Sequence, residues 1–194
     1  GDGDGFVSIK TSAPDALMSG ANMLKSLGWR TGEPWLQEVI LPSDLDWSLT
    51  GLNTEKTGQE WQRLGVKSLG EKLQNTLISA SIILPQGRFG PAFIVYPNFR
   101  ALLEWNQSFI YVTTAAYFAT LLEGSARFTN VNAEPGLDAD KMKALQSKLV
   151  ALGYDVGKID GILGAKTRAA VQNVQQEIGM PADAWPTTFL LERL

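Results

Sequence analysis

The sequence predicts an α+β protein, in which a segment of mixed helices and antiparallel strands precedes a segment built of helices. Two β-prone runs, 77–84 and 91–96, flank the turn-forming residues 85–88 and predict a β-hairpin. Apolar residues at helical spacing recur both before and after this hairpin. The polar stretch 130–136, which ends in Pro-Gly, separates the two segments and predicts a linker.

The N-terminal segment carries alternating helix and strand signals. A helix is predicted over 14–27, after the capping residue Ser12, and a strand is predicted over 37–41. A short helix is expected over 57–64, and a longer one follows the corner at 105–108 and ends near Leu122. The predicted buried face of the first helix consists of Leu17, Ala21, Leu24 and Leu27.

Three helices are predicted after the linker. Asp138 can cap the first, the second begins near Ala165, and the third is short and begins near Pro186. A loop with three glycines, 153–161, joins the first two and predicts tight turns. The positions predicted to face inward are Met142, Leu145, Leu149, Leu152, Val171, Val174, Ile178, Phe189, Leu190 and Leu194.

The absence of histidine and cysteine limits the chemistry that this sequence can perform. Without histidine, a Ser-His-Asp triad and a His-ligated zinc site are excluded. Without cysteine, thiolate nucleophiles, iron–sulfur clusters and disulfides are excluded as well. Acid–base catalysis must therefore use carboxylates, tyrosine or lysine. The net charge of −3, without a concentrated basic face, argues against nucleic acid as a partner.

The terminal helical segment carries a set of glycines, a Leu-Gln pair and an Asp-Gly pair at fixed offsets. This pattern resembles the peptidoglycan-binding domain that ends many cell-wall hydrolases, and Val174 departs from it where the family usually has phenylalanine. A generic three-helix bundle is the alternative interpretation, in which the glycines only end helices. The matching residues are Leu145, Gln146, Leu149, Gly153, Tyr154, Gly157, Asp160, Gly161, Gly164, Thr167, Ala170, Gln175, Gly179 and Leu191.

A second, longer set of ordered residues lies in the N-terminal segment. It includes Gly3, Asp4, Gly5, Asp15, Asn22, Trp29, Gly32, Pro34, Trp35, Glu38, Trp61, Gly65, Pro85, Gly87, Pro91, Tyr96, Asn98, Phe99, Trp105, Asn106, Ser108 and Tyr111. The set resembles the second half of the catalytic region of lytic murein transglycosylases of the membrane-bound B type. That resemblance implies a partial lysozyme-like helical core with a small antiparallel β subdomain at roughly 35–96. The domains would be 1–129 and 137–194, joined by 130–136.

The resemblance implies a non-hydrolytic (lyase) cleavage of the β-1,4 bond between N-acetylmuramic acid and N-acetylglucosamine. The muramic C6 hydroxyl would close onto C1 and leave a 1,6-anhydro product. One glutamate serves as general acid and then as base, so a second carboxylate is not required. In the family that glutamate lies upstream of the Asp-Gly-Asp-Gly segment. Because the sequence opens with this segment, 2–5, we expect no catalytic residue in this chain and no activity of the chain alone.

The same resemblance implies three substrate-binding residues. Trp105, Asn106 and Tyr111 match an aromatic-Asn pair and a downstream tyrosine that line the sugar groove. An aromatic face stacks on the apolar face of a sugar, and Asn and Tyr supply directed hydrogen bonds. The residues alone favour another interpretation, in which Asn106 is a turn or helix-capping residue and Tyr111 is a core aromatic; the resemblance favours the binding role.

The opening residues resemble the front of an EF-hand-like calcium loop, which some members of the family carry. If Gly5 is the sixth position, Asp2 and Asp4 are the third and fifth. The first ligand would precede the sequence, and the twelfth position falls on Thr11 rather than on an acid. We therefore expect a polar glycine turn rather than bound calcium, and no required cofactor.

Two further functions remain open. The first is a non-catalytic peptidoglycan-binding protein that keeps the sugar groove and the terminal domain as anchors. The second is a different carboxylate glycosidase that uses Glu104, although a lone glutamate beside an aromatic is usually solvated; Glu38 is expected on the solvent face of its strand. The resemblance implies glycan strands and stem peptides as partners, together with the missing N-terminal catalytic half. It also implies a periplasmic location, with or without an outer-membrane anchor, and we expect a monomer.

Overall fold

The computed structural model describes residues 1–69, 72–128 and 132–194, so part of the predicted linker 130–136 lies outside the described residues. We refer to residues 1–128 as the N-terminal segment and to 132–194 as the terminal segment. The elements in chain order are α1 Ala13–Ser26, β1 Leu36–Ile40, a 3-10 helix Trp47–Leu49, β2 Lys56–Thr57, α2 Gly58–Arg63, β3 Lys67–Ser68, β4 Ser79–Ile83, β5 Ala92–Val95, α3 Pro97–Trp105, α4 Phe109–Leu122, α5 Ala139–Ala151, α6 Ala165–Glu177 and α7 Thr188–Arg193.

The β-strands form one antiparallel sheet in the order β2-β4-β5-β1-β3. The predicted hairpin is confirmed: β4 pairs with β5 in a register that places Ile82 opposite Ile94. The strand predicted over 37–41 is found one residue earlier, as β1, and it pairs with the other side of β5. The two-residue strands β2 and β3 were not predicted, because two residues are too few to show the alternation of apolar and polar side chains that indicates a strand.

Both faces of the central strands are buried. Ile82 and Ile94 pack with Trp61 on one face, and the indole Nε1 of Trp61 donates to the Ala80 carbonyl at 3.0 Å. On the other face, Ile83 and its neighbours pack against α3 and α4. Successive side chains of a strand point to opposite faces, so burial on both sides explains why β5 is a continuous apolar run in the sequence. Strand β4 is less regular, since it contains the exposed Ser79 and the buried Ser81.

Helix α3 was not predicted, and it determines where the corner at 105–108 lies. Pro97 occupies its first turn, where the missing N–H of proline has no cost. The buried Asn98 accepts a hydrogen bond from the Arg30 N–H at 2.7 Å and donates to the carbonyls of Arg30 and Glu33. This helix is therefore tied to the loop that precedes β1, and it connects the sheet directly to α4.

Helix α1 forms as predicted, with Ser12 as its N-cap, but the predicted buried face is wrong. Leu17 is 74% exposed, whereas Asp15 in the first turn is buried. Helical periodicity predicts which residues share a face; it does not supply a partner for that face.

The terminal segment contains the three predicted helices around one apolar cluster. Met142, Leu145 and Leu149 of α5 are buried as expected, but Leu152 and Phe189 are each 57% exposed, contrary to prediction. Leu152 is the C-cap of α5, where the helix has already ended and the chain turns away from the bundle. Periodicity overestimates burial at such a position because helical spacing no longer applies there.

A buried glutamine connects the two helices and the glycine loop of the terminal segment. Gln146 is fully buried; its Nε2 donates to the Ile162 carbonyl and to the Thr167 hydroxyl at 3.1 and 3.2 Å. Its Oε1 accepts from the Gly161 N–H at 2.9 Å. Gly161 has φ +79°, and a Cβ there would lie 2.7 Å from the Ala139 carbonyl oxygen, so this turn requires glycine.

The two segments are joined by hydrogen bonds from α6 to the backbone of the N-terminal segment. Arg168 donates to the carbonyls of Leu84 and Pro85 at 3.2 and 2.7 Å, and Gln172 donates to the carbonyl of Thr50 at 2.9 Å. These contacts are made to main-chain atoms, so they depend on the shape of the hairpin turn rather than on its side chains.

We expect Gln146→Leu to lower the free energy of unfolding by about 1–3 kcal/mol, because the Gly161 N–H loses its acceptor and the Thr167 hydroxyl keeps only its bond to the Val156 carbonyl. Urea denaturation followed by circular dichroism measures the change. Gln176→Leu, on the exposed side of α6, is the matched control and should leave the midpoint nearly unchanged. Equal midpoints for the two variants would contradict the role assigned to Gln146.

Candidate functional site

Two aromatic rings meet at the corner between α3 and α4. Trp105 ends α3, and Tyr111 lies in the first turn of α4. Their ring centroids are 5.6 Å apart with an interplanar angle of 61°, an edge-to-face pair. The rings are 41% and 50% exposed, so each keeps a large apolar surface in contact with solvent. The sequence analysis named these two residues, and the structure places them side by side.

Asn106 lies between the two aromatic residues and fixes the turn of the corner. Its Oδ1 accepts from the Ser108 N–H at 2.9 Å, and the Ser108 hydroxyl caps α4 by accepting from the Tyr111 N–H. Among the described residues, no acceptor takes a hydrogen bond from the Asn106 side-chain NH₂ group. The capping interpretation and the binding interpretation are therefore compatible, since the oxygen shapes the corner while the nitrogen can donate to a ligand. We call Trp105, Asn106 and Tyr111 the aromatic corner.

Glu104 precedes the aromatic corner, and its side chain is exposed to solvent. Glu38 differs from the expected solvent-facing residue: it is half-buried and lines a pocket of about 380 Å³, together with Trp35 and Glu123. Burial raises the pKa of the Glu38 carboxyl above its usual value. The sequence did not indicate this pocket, because its walls come from β1 and the end of α4, which are far apart in the chain.

Three carboxylates meet at the start of the chain. Asp2 and Asp4 were predicted as neighbours; Asp15 was not, and one oxygen of each lies within 4.8 Å of the others. The Ser12 hydroxyl donates to Asp2 and the Ser8 N–H donates to Asp15, and these bonds hold the pKa of both carboxyls below the usual range. Calcium takes six to eight oxygens, so the three carboxylates supply only part of a site. The expectation of a polar glycine turn without bound calcium stays a prediction.

The fold and the aromatic corner lead to a family. Residues 1–120 match the family model described as Transglycosylase SLT domain, and residues 138–194 match the one described as Putative peptidoglycan binding domain. Because the first match spans more than half of the sequence, the chain belongs to the Transglycosylase SLT domain family. The suspected relationship to lytic transglycosylases is thereby confirmed, as is the α+β fold with a terminal peptidoglycan-binding domain.

Solved structures and a curated protein extend this comparison. SltB3 from Pseudomonas aeruginosa, solved in complex with NAG-anhNAM-pentapeptide, is 42% identical with a TM-score of 0.81 over 99% of this chain. The same protein has been solved with NAG-NAM-pentapeptide, again at 42% identity, with a TM-score of 0.77 over 94% of this chain. The present chain spans about half of that protein, 52% and 50% in the two structures. The spore cortex-lytic enzyme of Bacillus cereus is 34% identical over 62 residues, which are 32% of this chain and 24% of the relative.

The raised pKa of Glu38 predicts a pH-dependent effect of its replacement. The Glu38 carboxyl binds its proton more tightly in the folded state than in the unfolded state. The stability that the protonated carboxyl contributes is therefore complete below the unfolded pKa, near 4.5, and is lost as the pH rises through the folded pKa. Glutamine does not titrate, so only the unsubstituted chain loses this contribution. The free energy of unfolding of Glu38→Gln minus that of the unsubstituted chain should therefore increase between about pH 4 and about pH 7. Urea denaturation at several pH values measures this difference.

Glu104→Gln, which removes one negative charge from an exposed position, is the control for that experiment. A Glu38→Gln difference that stays constant over the same pH interval would contradict the raised pKa.

Proposed function

We propose that this chain is the C-terminal part of a lytic murein transglycosylase, which holds the sugar groove and a wall-binding domain and does not contain the general acid. The reaction would cleave the MurNAc-GlcNAc β-1,4 bond and leave 1,6-anhydro-MurNAc ends. The observation that carries this proposal is the aromatic corner: two half-exposed rings in edge-to-face contact, with an amide donor between them. Such a surface suits the apolar face and the N-acetyl group of an amino sugar.

The comparisons support peptidoglycan as the ligand. SltB3, at 42% identity, has been solved with two NAG-containing pentapeptide ligands, one of them with anhNAM. The terminal segment matches a putative peptidoglycan-binding domain. A location outside the cytoplasm follows from such a substrate, and we extend the proposal to the periplasm. No helix in the described ranges has the length and apolarity needed to cross a bilayer.

The positions of the acidic side chains support the absence of the general acid. A general acid must come within about 3 Å of the proton acceptor, and a raised pKa keeps it protonated at neutral pH. Glu104 is near the aromatic corner, but it is exposed to water. The pocket of Glu38 is lined by Tyr117 and Thr120 of α4 and by Glu123 just after it, which follow Tyr111 by six to twelve positions, roughly 9–18 Å along the helix. Glu38 therefore does not fit a sugar stacked on the corner.

Incubation of the chain with purified sacculi tests the proposal. We expect the chain to sediment with the sacculi and to release no muropeptides. Release of anhydro-muropeptides would overturn the missing-acid proposal, and Glu38→Gln and Glu104→Gln would then identify the acid. Failure to sediment would overturn peptidoglycan binding itself. If the chain binds, adding the protein segment that precedes it distinguishes a transglycosylase from the non-catalytic wall-binding alternative, since only the former gains anhydro products.

The aromatic corner makes a specific prediction for binding. Trp105→Ala should weaken the affinity for chitooligosaccharides or peptide-free glycan strands about tenfold, since loss of about 1.4 kcal/mol of stacking corresponds to that factor. Isothermal titration calorimetry gives the dissociation constant. Phe118→Ala, an exposed aromatic residue two turns further along α4, is the matched control and should bind as the unsubstituted chain does. The same loss in both variants would show that the corner has no special role.

A further inference from the structure

A large cleft lies between α4 and the terminal segment. Its volume is about 650 Å³, and its walls come from the hairpin turn, α4, the glycine loop before α6 and the residues around Trp185. The lining is mostly apolar, and Ile110 on α4 and Ile162 on the glycine loop are 57% and 61% exposed. We call this space the intersegment cleft. An exposed apolar surface of this kind, enclosed on two sides, is typical of a ligand site.

The intersegment cleft has one charged lining residue among those that the structure describes, Arg168. This side chain is 8% exposed, and its terminal nitrogens donate to two backbone carbonyls. Its guanidinium carbon lies 4.5 Å from the ring centroid of Phe109 and 5.8 Å from that of Trp185. Its Nε is buried and has no hydrogen-bond partner in the described part of the chain. Burial lowers the pKa of Arg168 to about 10, which leaves it charged at neutral pH.

The charge of Arg168 is not cancelled by a direct ion pair. The nearest acidic contact in this region, Asp183, bonds with Arg88 at 3.2 Å and accepts from the N–H groups of Arg88 and Trp185. No carboxylate of the described residues lies within ion-pair distance of Arg168. Asp183 acts on Arg168 only through space, and the two arginines together carry one positive charge more than this aspartate. The apolar surroundings let that positive charge act over a longer distance than it would in water. The cleft is therefore complementary to a small anion.

The intersegment cleft continues from the aromatic corner along one helix. Thr114 lines the cleft and lies three positions after Tyr111 of the corner, so the two residues are neighbours on one face of α4. Ile110, Thr113 and Tyr117 complete this wall of the cleft at helical spacing. A ligand bound at the corner can therefore place a substituent in the cleft without leaving the surface of α4.

We propose that the intersegment cleft binds the peptide stem of peptidoglycan, with its small apolar side chains against α4 and a free carboxylate in the field of Arg168. The proposal rests on the proposed function, because it takes a peptide-bearing glycan as the ligand of the corner. The chemistry matches on two points. Alanine methyl groups suit the apolar walls, and stem peptides end in a carboxylate, which is attracted by the guanidinium of Arg168 because Asp183, already paired with Arg88, offsets that charge only in part.

The experiment titrates the chain with the synthetic pentapeptide L-Ala-γ-D-Glu-L-Lys-D-Ala-D-Ala and follows binding by NMR. We expect saturable binding that is at least about fivefold weaker for the same peptide with an amidated C-terminus. Ile110→Glu, which places a negative charge in the cleft, should weaken binding about tenfold. Leu122→Glu, at an exposed position of the same helix outside the cleft, is the control and should leave the dissociation constant unchanged.

Sedimentation with sacculi, measured on the same preparations, separates this inference from the proposed function. Sacculus binding without any response to about 10 mM pentapeptide overturns the intersegment site and leaves the proposed function standing. The intersegment site is also overturned if Ile110→Glu and Leu122→Glu bind the pentapeptide with equal affinity. It is likewise overturned if the pentapeptides with a free and with an amidated C-terminus bind equally well. If neither sacculi nor peptide is bound, the proposed function itself fails. Ile110 and Leu122 are exposed, so neither substitution disturbs the core.

Discussion

The hydrogen bonds that Arg168 donates to Leu84 and Pro85 connect the parts of this protein that carry its candidate functions. Leu84 and Pro85 belong to the turn of the central hairpin, whose strands form the middle of the sheet. Strand β5 leads directly into α3 and α4, and so positions the aromatic corner. A buried guanidinium is costly to remove from water, and two charge-assisted bonds to carbonyls offset part of that cost. The contact therefore favours one defined arrangement of the hairpin turn and α6.

The packing around Trp185 imposes a second constraint at the same place. Gly87 has φ +73°, and a Cβ there would lie 2.6 Å from the Trp185 side chain; a Cβ at Gly136 would lie 2.8 Å from the same indole. The hairpin turn and the start of the terminal segment thus approach one side chain from two directions. A larger residue at either glycine would displace the indole. The two close contacts therefore hold Trp185, which lines the intersegment cleft, in one position. The cleft is consequently a defined space rather than a gap between tethered units.

The sequence predicted the elements whose signals are local. Ser12, Asp138 and the glycines that end helices gave the boundaries of α1 and α5, and the hairpin followed from its turn residues. It did not predict what depends on contacts between distant residues. Asp15 joins Asp2 and Asp4 only because the chain folds back, and Glu38 becomes half-buried only when α4 covers one end of its strand. Arg168 was not singled out from the sequence, because the carbonyls that it contacts belong to the hairpin of the other segment. The aromatic corner was predicted by family resemblance, whereas α3, although it is amphipathic, was not predicted.

Helix α4 relates the three candidate sites to one another. Its first turn carries Tyr111, its middle forms a wall of the intersegment cleft, and its last turns, together with Trp35, border the pocket of Glu38. The Trp35 indole donates to the Ala116 carbonyl and the Thr120 hydroxyl, so the helix is held against the sheet midway along its length. Displacing α4 would alter all three sites at once. The proposed ligand, a polysaccharide with peptide branches, would require such a rigid element, because its sugar and its peptide would have to be bound at a fixed separation.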